Sequence, residues 1–252
     1  MLRENLPECY FNVRLNINNL EDIKAIAENI KELFDIRVEL PSKLKLKIKE
    51  SPDLTHIPPC RWVLERGSYD PNQQEIRLIG PNWCLKTIIH ELLHALSIFY
   101  REEDLIWSSL IDFRNIVEAL TEFLTGYVLY RKRDEKPCYD FWLEKTYAPC
   151  KISYEPYVKI FAALSQVLVP LKTISRLFFC ETYHDWQKMY DHFLKTYKLP
   201  HLFKNWRTPY ELQEEILNAL KKYYPIRIAH RFEIILENEL RNLFNYSRMK
   251  KF

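Results

Sequence analysis

A chain of 252 residues that contains only three glycines has few places where its backbone can turn through positive φ without steric cost. Average composition would supply about 7% glycine, so the deficit is large. Long helices joined by ordinary turns meet that constraint best, and a helix-rich fold is expected. Apolar residues make up 47% of the chain and charged residues 28%. That balance suits a folded chain with a substantial core, as one large domain or two lobes.

Charge gives no general reason to invoke nucleic acid or an anionic membrane, because 37 basic residues meet 34 acidic ones for a formal net charge of +3. The runs Arg131-Lys132-Arg133 and Lys250-Lys251 read as solvated surface. The first residues, MLRENLPECYFN, lack the apolar stretch of a signal peptide, and no membrane-spanning window is found. A cytoplasmic location is expected. Cys9, Cys60, Cys84, Cys138, Cys150 and Cys180 are scattered without a CxxC pair, so buried free thiols are the default. A Cys138–Cys150 bridge is the alternative.

Taken in order, residues 10–17 alternate Phe11, Val13, Leu15 and Ile17 as a half-buried strand does. Asn18 and Asn19 can cap a helix over 20–34 with an apolar face of Leu20, Ile23, Ile26, Ile30 and Leu33. Strands follow near 36–40 and at 43–49, the second with Leu44, Leu46 and Ile48 set against lysines. After a proline-rich loop over 51–60, in which His56 reads as a surface residue, the chain forms a hairpin. RWVLERG is one arm, SYDPNQ the turn and EIRLIG, from Glu75 to Gly80, the other. If that strand has an open edge, it can hold an extended peptide by backbone hydrogen bonds.

The hairpin delivers the chain into residues 85–100, LKTIIHELLHALSIFY. Leu85, Ile88, Ile89, Leu92, Leu93 and Leu96 recur at helical spacing with no Gly or Pro between them. On that helix His90 and His94 leave the same face one turn apart, close enough to grip one ion. Glu91 emerges beside them, placed to reach a water on the ion. This is the HExxH pattern of zinc hydrolases. A second helix is expected over about 113–130. His94 lies roughly 9 Å before its helix end at 1.5 Å per residue, and a cap at Asp112 would put Glu118 at similar depth in the next helix. Glu118 is thereby the candidate third ligand.

These residues resemble the gluzincin branch of zinc metallopeptidases, in which the HExxH helix is paired with a downstream glutamate helix. In EALTEFLT, Glu118 matches the ligand glutamate and Glu122 the acid that supports a histidine, here Glu where several families have Asp. Thr121 and Thr125 share the inward side and are candidate hydrogen-bond partners. The metzincin motif is excluded, since it needs Gly and His where this chain has Ser97 and Tyr100. The resemblance covers roughly residues 60–130, including a hairpin like that of a minimal gluzincin core. It implies Zn²⁺ held by His90, His94 and Glu118, with a fourth position for water, and Glu91 as the base that activates that water. Tyr154, Tyr157 and His184 are candidates for the donor that stabilises the oxyanion.

Past a polar connector at 131–150, helices are expected over 153–169, 171–180, 185–197, 209–223 and 226–245. Trp186, Trp206, Tyr223 and Tyr224 read as amphipathic core, and His184, His192, His201 and His230 lack ligand spacing. The expected fold is therefore α+β: a zincin-like catalytic lobe over 1–131, with a small mixed sheet, the HExxH helix and the glutamate helix. An all-α lobe over 132–252 would form the other side of the cleft. The expected function is hydrolysis of peptide bonds, with a peptide or protein as substrate and no nucleic-acid or membrane partner. The alternatives are a zinc-binding but catalytically quiet interaction module and a zinc hydrolase acting on a non-peptide bond.

Overall fold

The computed structural model describes residues 20–49, 67–79, 85–101, 103–131, 155–204 and 206–237. Helix α1, Leu20–Phe34, carries Glu21 and Asp22 in its first turn, where negative charge complements the helix dipole. Ile23, Ile26, Ala27, Ile30 and Phe34 form its buried face, as the spacing predicts. It ends at Asp35, whose φ of 54° is left-handed. The Ile36 N–H then reaches back to the Lys31 carbonyl at 3.0 Å, a cap that usually recruits glycine.

The strand expected at 36–40 does not form. Val38 is buried and Ile36 and Leu40 pack on the core, so the alternation marks an inward side without a paired strand among the described residues. Strand β1, Lys45–Lys49, runs parallel to β3, Glu75–Ile79, while β2, Gly67–Asp70, pairs with β3 antiparallel. The sheet order is β1-β3-β2, so β3, the strand considered for an open edge, is interior because both its sides are paired, and β2 lies at the edge of the sheet among the described residues. Ile76 and Leu78 of the central strand are fully buried, and on its outer face Arg77 bridges Asp70 at 2.7 Å and Glu75 at 2.6 Å. The hairpin turn lies at residues 71–74, later than its expected place at SYDPNQ, and Ser68, Tyr69 and Asp70 belong to β2. Pro71 and the left-handed Gln74, with a φ of 50°, make the turn instead. The expectations for 10–17, Asn18, Asn19, 51–60 and 61–66 lie outside the described residues.

Helix α2, Leu85–Leu96, is the centre of the fold. Ile88, Ile89, Leu92, Leu93, Ala95 and Leu96 are all fully buried, because the helix has neighbours on several sides: β2, β3, α1 and α4. It breaks at Ser97, and a short helix α3, Ile98–Arg101, leads on to α4, Glu103–Arg131. The glutamate helix is thus longer than expected and begins ten residues before 113. Asp112 therefore lies inside the helix and not at its start.

Beyond residue 154 only helices are described: α5, Glu155–Val167; α6, Leu171–Phe178; α7, Tyr183–Tyr197; α8, Pro209–Tyr223; and α9, Ile226–Glu237. Thr182 and Thr208 cap α7 and α8 by accepting from the N–H groups of Asp185 and Glu211. Helix α5 packs on α4, α8 and α9. Phe99 of α3 enters an aromatic cluster, with ring centroids 5.8 Å from Trp186, 5.9 Å from Phe178 and 5.1 Å from Phe203. One apolar core therefore runs from the sheet through α2 and α4 into the C-terminal helices. The fold is helix-rich α+β with a small mixed sheet. No described helix is long and apolar enough to cross a membrane. Cys180 is a buried free thiol that burial pushes up to about 12. The other five cysteines lie outside the described residues.

Candidate metal centre

Two helices build the site. Helix α2 presents His90 and His94 one turn apart, and α4, packed alongside, presents Glu118. His90 Nε2 and His94 Nε2 are 3.0 Å apart, and each lies 3.3 Å from Glu118 Oε2. The triangle is nearly equilateral. These three residues could hold a metal ion, with one donor atom from each converging. Asp112 does not cap α4 and α2 ends at Leu96, so Glu118 does not owe its place to matched depths from helix ends. Glu118 arrives by the side-by-side packing of α2 and α4.

The far nitrogen of each histidine is also held. Glu122 Oε2 accepts from His90 Nδ1 at 2.9 Å, the bracing expected of that acid. Thr121 Oγ1 stands 3.4 Å from His94 Nδ1 and donates to the Val117 carbonyl at 2.8 Å, which leaves its lone pairs for the imidazole. Thr125 in turn donates to the Thr121 carbonyl, one turn along. With Nδ1 engaged on both rings, Nε2 is the nitrogen turned toward Glu118.

No known family model, curated protein or solved structure matches this chain.

The charges interlock. Burial works against a charged His90, yet the hydrogen bonds to Glu118 and Glu122, with the charges of Glu122 and Glu91, push its pKa up to about 10. Burial likewise opposes ionisation of Glu118, but His94 and both imidazole contacts hold it well below the usual carboxylate range. Glu91 is different. It is buried beside the triad, 6% exposed, and burial moves its pKa upward despite the two histidines. Its side chain adjoins the start of β2: a Cβ added to Gly67 would come within 2.6 Å of Thr87 Cγ2 and 3.2 Å of Glu91 Cγ. Bare backbone is what lets the edge strand lie that close to the HExxH helix.

Two residues escape the sequence reading. Tyr100, used there only to exclude the metzincin motif, donates its hydroxyl to Glu118 Oε1 at 3.1 Å. Gly67 sets the approach of β2. The signal for the second was available in its rarity, while that for Tyr100 depends on a helix break. Of the oxyanion candidates, Tyr157 is buried in α5 with Glu211 of α8 as its charged neighbour, His184 is exposed on α7, and Tyr154 lies outside the described residues. His192, His201 and His230 are exposed, as expected of solvated histidines.

Proposed function

We propose that the protein is a zinc-dependent metallopeptidase of gluzincin type, with His90, His94 and Glu118 as ligands and Glu91 as the catalytic base. The observation that carries this reading is the ligand triangle, with edges of 3.0, 3.3 and 3.3 Å. Tetrahedral zinc with arms of about 2.0–2.1 Å requires ligand atoms about 3.3–3.4 Å apart, so the donors fit with little movement. Two imidazoles and a carboxylate are also the donor set of catalytic zinc sites that retain an open position.

Zinc, when bound, supplies Lewis-acid polarisation and lowers the pKa of a coordinated water. The chain's own groups do the rest. Glu91 takes a proton at its carboxylate and returns it to the leaving amine; its upward-shifted pKa is the direction that this double duty needs. Glu122 and Thr121 keep the imidazoles oriented. Strand β2, at the edge of the sheet among the described residues and carried against Glu91 by Gly67, would offer backbone groups to an extended peptide.

The test is parallel digestion of an unbiased peptide library by wild type and Glu91→Gln, with zinc content measured on both. The expected outcome is about one zinc per chain in each and a fall in hydrolysis of at least 10²–10⁴-fold in the variant. Equal activity in the two proteins sinks the mechanism. Zinc in both with hydrolysis in neither would move the protein to a quiet metal-binding module or to a different acyl group.

A further inference from the structure

Tyr100 is neither a ligand nor the base. In an unbroken helix it would sit six residues past His94, about 240° round the axis at roughly 100° per residue, and would face away from the histidine. The chain does not continue as one helix. At Ser97 the N–H and the hydroxyl both turn back to the His94 carbonyl, at 3.1 and 3.0 Å, and Tyr100 N–H bonds to the Ser97 carbonyl at 3.3 Å. Phe99, fully buried against Trp186 and Phe178, anchors the new direction. The tyrosine ring is thereby returned to the site, 4.6 Å from the His94 ring and 6.2 Å from that of Tyr69.

The consequence lies in how the Glu118 carboxylate is divided. Oε2 faces both histidine Nε2 atoms, whereas Oε1 accepts the Tyr100 hydroxyl at 3.1 Å. Resting on the metal reading above, we propose that Tyr100 is a positioning residue: its hydroxyl occupies the second oxygen of Glu118 and holds that ligand to one-oxygen coordination. A carboxylate free to swing would offer both oxygens and fill the position that a catalytic centre keeps for water or substrate. The same hydrogen bond pre-orders Glu118, and outer partners of this kind are worth about 10–100-fold in metal affinity.

Ring packing and hydroxyl can be separated by Tyr100→Phe, which keeps the contacts to His94 and Tyr69, and Tyr100→Leu, which removes the ring as well. The measurements are competition titrations with Zn²⁺ and the visible absorption of the Co²⁺-loaded proteins, with circular dichroism confirming the fold. Tyr100→Phe should weaken Zn²⁺ binding by about 10–100-fold. Its Co²⁺ bands should lose intensity, as they do when coordination expands from four to five. Unchanged affinity and an unchanged Co²⁺ spectrum in Tyr100→Phe would overturn the proposal, as would a loss seen in Tyr100→Leu alone, which would assign the effect to packing. A wild type that takes up neither metal overturns the metal reading and this inference together. One that binds zinc in the expected way but cleaves no peptide overturns the peptidase and leaves the role of Tyr100 standing.

Discussion

The α2–α4 contact and the C-terminal helices are both buried, yet they are filled in opposite ways. Nine polar or charged residues are buried among the described ones, and only Glu75 and Ser175 lie outside α2, its break at Ser97 and α4. The C-terminal helices fill their interior with rings instead: Trp186 stacks on Tyr190 at 5.0 Å and Tyr190 meets Phe203 at 5.3 Å. A buried polar group that loses its partner costs about 1–3 kcal/mol, so seven gathered in one contact depend on keeping their hydrogen bonds. The concentration coincides with the candidate metal centre, while the helices beyond residue 154 supply apolar packing.

Three measurements would break or sharpen that contrast. The largest effect belongs to the apolar side. Phe232→Ala empties a fully buried position in α9 and should cost about 3–5 kcal/mol in denaturant unfolding. The folded fraction should still bind metal with unchanged stoichiometry; loss of the metal along with the packing would show that the two regions are not separable.

Next comes the bracing of the site. Glu122→Ala removes the acid 2.9 Å from His90 Nδ1 and should lower metal affinity by about 10–100-fold, or about 1.4–2.7 kcal/mol. Glu118→Ala, which deletes a proposed ligand, should weaken it further. A metal-content assay with the opposite ranking would make Glu122 the ligand.

The smallest effect, taken per pH unit, is the response to pH. His90 before metal binding has a pKa raised to about 10 from an ordinary 6.5. Charged His90 therefore stabilises the fold fully below the ordinary value, and that contribution is lost as pH rises through about 10. A ligand imidazole must be neutral, so metal has to displace this proton. Apparent zinc affinity should rise by about tenfold per pH unit between about pH 6 and 8, roughly 1.4 kcal/mol per unit. A flat profile in competition titrations would mean that His90 is already neutral there.

Much of this contrast is legible in the sequence because period and motif are local. The face of α1 and the apolar run of α2 follow from spacing within one turn or two. HELLH and EALTE likewise announce their own helical faces. What fails depends on partners distant in the chain. The alternation at 36–40 is real, but a strand needs a neighbour with free backbone groups, and β1 has taken its place beside β3. The hairpin turn slides to 71–74 because Pro71 and Gln74, not Ser68, hold the turn geometry. Tyr100 could not be read at all: its direction is set by a break at Ser97 whose anchor, Phe99, packs among residues from 178 to 203.

The composition also carries information of another kind. In a chain rich in glycine, finding one at position 67 would say nothing. Here even the left-handed turns at Asp35, Gln74 and Lys198 are made by other residues, so glycine is absent where it would be easiest to accept. Its presence where β2 meets Thr87 and Glu91 is then a message about spacing. The rarest small residue lies where the β2 backbone comes against α2 with no side chain of its own to hold the two apart, and Glu91, the proposed catalytic base, stands beside it.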